Sequence, residues 1–215
     1  LDSPANNTWS GTSFTATITP TDTNLANCTL FHNQTGTWKA NVTIQNPTSG
    51  SSNSFAAITV SDGLFVWDTQ CVDLAGNATF NGSNYTARID TANPTEFNLT
   101  SPVNNTITSN LTPTFTWNIT TEANFANYTL QVSNGSSFET INHTNYSLSR
   151  TEGNVTITVG ANYHWLWRVT AFDYAGNNAT SPVFNYTTDT INPAIRLDSP
   201  ANNTFAGINN EVTLT

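Results

Sequence analysis

The sequence predicts an all-β chain of two tandem β-sandwiches, followed by the first strand or strands of a third. Two observations carry this prediction. Short runs of alternating apolar and polar residues fill the chain, and no segment has the spacing of an amphipathic helix. A set of motifs also returns after about 98 residues. The predicted units are 1–95, 96–195 and 196–215.

The repeats rest on three motifs that recur in the same order. They are Leu-Asp/Thr-Ser-Pro-x-Asn-Asn-Thr at 1–8, 99–106 and 197–204, Asp-x-Ala-Gly-Asn at 73–77 and 173–177, and Asp-Thr-x-Asn-Pro at 90–94 and 189–193. Such regular self-similarity is typical of tandem modules. The third copy stops after its first 19 residues, 197–215.

Each repeat has about seven candidate strands separated by turns rich in Gly, Pro and Asn. In the first repeat they lie near Leu1 and at 14–19, 27–31, 38–44, 54–60, 64–72 and 84–89. In the second they lie at 114–118, 127–132, 138–142, 154–159, 163–172 and 183–187. Seven short strands in about 98 residues predict a two-sheet sandwich of immunoglobulin or fibronectin-III type.

The longest predicted strand of each repeat carries its heaviest side chains, which are Phe65 and Trp67 in the first repeat and Trp165 and Trp167 in the second. Aromatic residues of this size dominate a small core. A sugar-stacking platform is the alternative. The regular return of these residues on a central strand favours core packing.

A turn is predicted directly after that strand. Gly76 and Gly176 permit positive φ, and the side chains of Asp73 and Asp173 can cap the turn. A Ca²⁺ site needs six to eight oxygen ligands, and one Asp per turn is too few. We therefore expect no metal here.

These motifs resemble the Ig-like repeats of archaeal and bacterial cell-surface proteins, which build stalks, surface layers and filaments. The likeness covers the whole chain. It implies tandem sandwiches with a structural or adhesive role, and it supplies no catalytic residue.

Cys28 and Cys71 are predicted to form a disulfide. Their counterparts in the second repeat are Tyr128 and Ala171, so both cysteines are absent together. Two bonded cysteines are expected to be absent together from a repeat that lacks the bond. Cys28 and Cys71 would lie on neighbouring strands of one sheet. A zinc site is the rival, but two cysteines without a nearby His pair are poor zinc ligands. A disulfide implies an oxidising, extracellular compartment.

Asn-x-Ser/Thr sequons are about twice as frequent as the composition predicts. Covalent N-glycans are therefore expected at many of these sites, though not at all of them, and no other cofactor is expected. The candidates are Asn6, Asn27, Asn33, Asn41, Asn77, Asn81, Asn84, Asn98, Asn104, Asn110, Asn118, Asn127, Asn134, Asn142, Asn145, Asn154, Asn178, Asn185 and Asn202.

Composition excludes several classes of protein. A formal net charge of −9 with five Lys and Arg cannot neutralise a phosphate backbone, so nucleic-acid binding is excluded. The longest apolar runs are far too short to span a bilayer. No nucleophile, metal or phosphate-loop motif of an enzyme occurs. Asn, Thr and Ser, which number 32, 40 and 18, keep the chain polar despite 9% charged residues.

The expected function is a structural part of an extracellular, glycosylated filament, stalk or layer. Its partners would be copies of itself or further Ig-like repeats of the same chain. Residues 196–215 would either continue into more chain, which is slightly favoured, or donate a strand to a neighbouring subunit. The alternative function is an adhesin or carbohydrate-binding module, with Trp9, Tyr146, Tyr163 and Phe205 as candidate aromatics. Trp9 and Phe205 are equivalent in the repeat, so packing between domains also explains them.

Overall fold

The all-β prediction is confirmed by a computed structural model, which describes residues 1–11, 13–34 and 36–198. Nineteen strands and no helix occur in these ranges. The strands pair in two separate sets, one of residues 3–89 and one of residues 99–188. All but the first three residues of the predicted unit 196–215 lie outside the described residues.

The first sandwich packs a large sheet against two short strand pairs. The large sheet has the order β1-β10-β8-β4-β5, with β9 also paired to β8, and the opposite layer holds the pairs β2-β7 and β3-β6. The strands are β1 (Thr8–Ser10), β2 (Ser13–Phe14), β3 (Thr17–Ile18), β4 (Leu25–His32), β5 (Lys39–Gln45), β6 (Asn53–Ser54), β7 (Ile58–Thr59), β8 (Gly63–Asp73), β9 (Ala78–Phe80) and β10 (Tyr85–Ile89).

The second sandwich repeats this arrangement with more regular pairing. One sheet has the order β12-β19-β17-β14-β15, with β18 also paired to β17, and the other has the order β11-β13-β16. The strands are β11 (Leu99–Ser101), β12 (Thr106–Thr108), β13 (Thr114–Trp117), β14 (Phe125–Ser133), β15 (His143–Leu148), β16 (Asn154–Thr156), β17 (His164–Asp173), β18 (Asn178–Thr180) and β19 (Phe184–Thr188).

The structure corrects three predicted strands. Near Leu1 only an isolated bridge between Ser3 and Thr17 forms, and the predicted strand 154–159 ends at Thr156. Residues 138–142 form a loop, and the strand begins at His143. The hydroxyl of Ser133 donates to the carbonyl oxygens of Ser137 and Thr140 and closes this loop. A side chain that bonds nearby backbone in this way competes with sheet pairing. The predicted strands 14–19 and 54–60 are each broken into two short strands.

Each sandwich has its own core, built around the tryptophan of its longest strand. Trp67 and Trp167 are completely buried. Phe14 packs edge-on against Trp67 with ring centroids 5.3 Å apart, and Phe115 packs in the same way against Trp167 at 5.0 Å. Phe65 and Trp165 are also buried. All four aromatics proposed for the core therefore lie in it, and none offers a ring face to a sugar.

The Ser-Pro-x-Asn-Asn-Thr motif at the start of each repeat binds that repeat's large sheet near one edge. In both copies the second Asn has positive φ, 65° at Asn7 and 66° at Asn105, a conformation that asparagine tolerates better than most residues. The first Asn accepts a backbone hydrogen bond from the strand it faces: Asn6 from Thr86 and Asn104 from Asn185, both at 2.8 Å. The Ser-Pro bonds of the motif are cis in both copies.

Candidate functional site

Cys28 and Cys71 form the predicted disulfide. They lie directly opposite each other on β4 and β8, with a Cα–Cα distance of 4.1 Å. In the second sandwich Tyr128 and Ala171 occupy the same paired register on β14 and β17. In the second sandwich, therefore, one pair of contacting residues takes the place of the bonded cysteine pair.

The described residues contain no group of three or more His, Cys, Asp or Glu side chains that could hold a metal ion. They also contain no helix long and apolar enough to cross a membrane. The most elaborate polar arrangement instead lies where the two sandwiches meet. We call it the joint, and it consists of Trp9, Asp90, Asn124, Tyr174 and Asn177.

One part of the joint is the predicted turn at 173–177, in which the aspartate binds the asparagine of the same motif. Asp173 accepts hydrogen bonds from the backbone nitrogen of Asn177 at 2.9 Å and from its side-chain nitrogen at 2.7 Å. In the first sandwich Asp73 binds Asn77 in the same way, and these hydrogen bonds lower the pKa of Asp73. Gly76 and Gly176 have φ of 87° and 91°, so the turn needs glycine there. The turn fixes the direction of its asparagine side chain.

Asp90 receives two asparagine side chains from the second sandwich. Asn124 donates its Nδ2 to the Asp90 carboxylate at 2.7 Å, and Asn177 donates its Nδ2 to the Asp90 backbone oxygen at 2.9 Å. Asp90 is only 5% exposed. Asn124 thus satisfies one oxygen of a buried carboxylate, whose other oxygen accepts the Ala92 amide, and Asn177 satisfies the backbone carbonyl of the same residue. Losing either donor removes a hydrogen bond from a buried polar group, which costs free energy.

Aromatic stacking adds a second contact across the joint. The rings of Trp9 and Tyr174 stack with centroids 5.8 Å apart and planes 20° from parallel. The guanidinium of Arg88 lies 5.7 Å from the centre of the Trp9 ring. Trp9, weighed above as either a sugar-binding or an interdomain residue, thus packs between the sandwiches.

The linker is itself bound to the second sandwich. The Thr95 hydroxyl donates to the Thr121 carbonyl at 3.0 Å, and the Thr121 amide donates to the Thr95 hydroxyl at 2.8 Å. The Thr120 hydroxyl donates to the Thr95 carbonyl. Two residues further on, Phe97 enters the core of the second sandwich and is only 5% exposed. The short linker therefore has little freedom to bend.

The sequence prediction did not identify Asp90, Asn124, Tyr174 or Asn177 as an interdomain site. The recurrence of Asp90 and Asn177 in repeated motifs was the available indication, because it marks them as part of the module. The contacts between these residues depend on how the two modules pack against each other, and no local sequence pattern predicts that packing.

The sequon asparagines are accessible wherever the structure describes them. Most are exposed, and six are half-buried: Asn27, Asn33, Asn127, Asn134, Asn145 and Asn185. Asn202 lies outside the described residues. Three sequons have side-chain nitrogens engaged with protein groups, Asn41 with His32 at 2.7 Å, Asn77 with Asp73 at 2.7 Å and Asn81 with the Ser83 carbonyl oxygen at 3.1 Å.

A second surface on the first sandwich combines exposed rings with polar groups, of which Asn84 is exposed and Asp68 is buried. Phe31 lies 5.2 Å from Phe80 and 6.4 Å from Trp38 between ring centroids. Trp38 and Phe80, with Asp68 and Asn84, border an open cleft of about 430 Å³. Burial raises the pKa of Asp68. The candidate aromatics Tyr146 and Tyr163 are 69% and 50% exposed but do not border this cleft, and Phe205 lies outside the described residues.

Comparison with known proteins supports the fold. No protein-family model and no curated protein sequence matches the chain. Fibronectin(III)-like modules of Clostridium thermocellum CbhA align with a TM-score of 0.57 at 11% identity, covering 91% of this chain and 97% of that one. The FN1–FN3 domains of chicken CNTN1 align with a TM-score of 0.53 at 15% identity, covering 86% and 69%. The chain thus has the fold of tandem fibronectin-III and Ig-like domains.

Proposed function

We propose that the chain is a structural component of an extracellular, N-glycosylated surface filament, stalk or layer built from Ig-like modules. The joint is the observation that carries this proposal. It holds one module on the next through two partly buried amide–aspartate hydrogen bonds and a ring stack. A spacer has to keep its modules aligned, and these contacts serve that purpose.

The composition of the joint supports a role repeated along a chain. Asp90 and Asn177 belong to motifs present in both repeats, and Asn124 has Asn24 as its counterpart. Because the joint is built from module residues and not from a special insertion, the same connection can be made again at each further module.

The disulfide and the accessible sequons support an extracellular, glycosylated state. Disulfides persist in oxidising compartments. Glycans on outward-facing asparagines would shield exposed strand edges and keep a surface with 9% charged residues soluble. Release of N-glycans from native protein should lower its mass, and an unchanged mass would refute the glycoprotein proposal.

Strand donation is a further way in which such modules could join. Residues 196–215 would add a strand to a neighbouring subunit through main-chain hydrogen bonds. Deletion of residues 196–215 should then abolish polymerisation. Filaments that persist after this deletion would exclude strand donation and leave the rest of the proposal intact.

A carbohydrate-binding role is the second candidate, favoured by the cleft beside Trp38 and Phe80. Exposed rings next to the amide side chain of Asn84 are suited to stacking and hydrogen bonding with a sugar. A glycan array should detect binding that Trp38→Ala abolishes. Tyr146→Ala is the control, because it removes an exposed ring outside the cleft. An array without binding would remove this candidate.

Electron micrographs of native material, labelled with an antibody to the chain, test the principal proposal. We expect label along filaments, stalks or a surface layer. Label confined to the cell interior or to dispersed secreted protein would contradict a structural role at the surface.

A further inference from the structure

The outer end of the first sandwich carries the asparagine side of the joint, already assembled. We call Asn24, Leu74 and Asn77 the asparagine end. They are the counterparts of Asn124, Tyr174 and Asn177. The Leu74 amide donates to the Asn24 carbonyl at 2.8 Å, as the Tyr174 amide does to the Asn124 carbonyl at 3.0 Å. All three residues are exposed, so both asparagines present their side chains to solvent.

The outer end of the second sandwich carries the aspartate side. We call Ile107, Asp189 and Ile195 the aspartate end. The Asp189 carboxylate accepts the Ile191 amide at 2.9 Å, just as the Asp90 carboxylate accepts the Ala92 amide at 3.1 Å. Asp90 is buried in the joint, whereas Asp189 is exposed. Ile107, the counterpart of Trp9, is 71% exposed.

A cavity beside the asparagine end has room for one more side chain. Its volume is about 280 Å³, and its apolar lining includes Leu1, Ile18, Leu25, Val72 and Phe80. The second sandwich has larger side chains in this region, with Trp117 at the position of Ile18 and Phe125 at that of Leu25.

The corresponding region of the second sandwich also takes in a linker residue. The ring of Phe97 lies 5.6 Å from that of Tyr128, in the core. Ile195 is the counterpart of Phe97 in the next linker and is 86% exposed. Leu1 already occupies the position that Leu99 has in the second sandwich, so only the Ile195 side chain is required to fill the space.

We propose that the aspartate end of one chain docks on the asparagine end of a second copy. Asp189 would receive Asn24 and Asn77, Ile107 would pack on Leu74, and Ile195 would enter the cavity. The two surfaces differ and lie at opposite ends, so the contact does not close on itself and extends into a linear array. This inference rests on the proposed structural function and specifies the partner.

Glycosylation of Asn77 and docking exclude each other. The Nδ2 atom that would bind the aspartate end is the atom to which a glycan is attached, since residues 77–79 form a sequon. The joint itself does not have this conflict, because Asn177 is followed by Asn178 and Ala179 and is not a sequon. A glycan at Asn77 would therefore cap the array.

The test uses the oxidised, non-glycosylated chain of residues 1–215 in sedimentation velocity at increasing concentration. We expect the wild type to form species larger than a dimer. Ile107→Asp with Asp189→Ala removes the aspartate end, and Leu74→Asp with Asn77→Ala removes the asparagine end. Each double variant alone should associate at least tenfold more weakly. Tyr146→Asp, an exposed apolar residue outside both ends, should associate like the wild type.

Mixing the two double variants gives the decisive result. Each retains the end that the other has lost, so an equimolar mixture should form a 1:1 complex and stop there. The proposal is overturned if the mixture stays monomeric while the wild type associates, or if the wild type is monomeric at millimolar concentration. Binding of a small apolar probe in the cavity without self-association would likewise overturn it. A monomeric wild type leaves the proposed surface function standing, because native micrographs test that separately.

Finally, Thr79→Ala tests the conflict with the glycan. In protein from a glycosylating host this substitution removes the sequon but keeps Asn77. We expect it to restore association that glycosylated wild-type chain lacks. If glycosylated Asn77 and association are found in the same species, docking at this end is excluded.

Discussion

The two sandwiches fill the same paired position in different ways. The first places the Cys28–Cys71 disulfide across β4 and β8, and the second places Tyr128 opposite Ala171 across β14 and β17. The Tyr128 ring is completely buried against Phe97, Trp117 and Phe125. The first sandwich has smaller side chains in this region and a cavity of about 280 Å³. One module uses a covalent bond where the other uses aromatic packing.

This difference suggests how one fold tolerates both solutions. A disulfide stabilises mainly by restricting the unfolded chain, whereas buried rings stabilise the folded state through burial and dispersion. A module with the covalent bond can therefore leave an open pocket at the end of its core, while a module without it fills the same region with side chains. Each of the following substitutions acts on one module only and so tests the comparison.

The largest effect is expected from removing the disulfide. Cys28→Ala with Cys71→Ala should lower the free energy of unfolding of the first sandwich by about 4 kcal/mol, from the loop-closure entropy of its 43-residue separation. The second sandwich should keep its stability. Hydrogen exchange read by mass spectrometry reports the two modules separately. An equal loss in both would show that they unfold as one unit.

A smaller effect is expected from Tyr128→Phe in the second sandwich. The Tyr128 hydroxyl accepts the buried Thr120 amide at 2.7 Å, so the substitution leaves that amide unsatisfied and should cost about 1–2 kcal/mol. Tyr186→Phe is the matched control. The buried Tyr186 hydroxyl has no partner among the described residues, so its removal should be neutral or stabilising. Urea unfolding that ranks the two variants the other way would contradict this account.

The smallest effect is a pH dependence that arises from His32 in the first sandwich. Burial of His32 and the nearby charge of Lys39 lower the pKa of His32 below 6.5. The unfolded chain therefore binds a proton at higher pH than the folded one, and stability should fall as pH drops below about 6.5. His32→Asn should reduce this loss, whereas exposed His164→Asn should not. The free energy of unfolding, measured at pH 7.5 and pH 5, gives this loss of stability. Identical losses in the His32→Asn and His164→Asn variants would refute the role of His32.

The sequence predicted the modules well because their determinants are local. Alternating apolar and polar residues predicted the sheets, and the repeated Trp67 and Trp167 predicted the cores. The second repeat lacks cysteine at both counterparts of Cys28 and Cys71, and this predicted that the two cysteines touch. These features follow from strand geometry, in which every second side chain faces the core.

The joint and the strand breaks could not be predicted in the same way. The bond between Asn124 and Asp90 joins residues of different modules, and its geometry depends on the path of the whole linker. The loop at 138–142 depends on Ser133, whose hydroxyl bonds to backbone several residues away. Such contacts arise from tertiary placement and leave no periodic pattern.

The central claim is that the joint holds the two sandwiches in one orientation. Residual dipolar couplings measured on the oxidised chain test it directly. We predict that couplings from both sandwiches fit one alignment tensor, and that Trp9→Ala with Asn177→Ala splits it into two while each module stays folded. Two unequal tensors in the wild-type chain would contradict the claim.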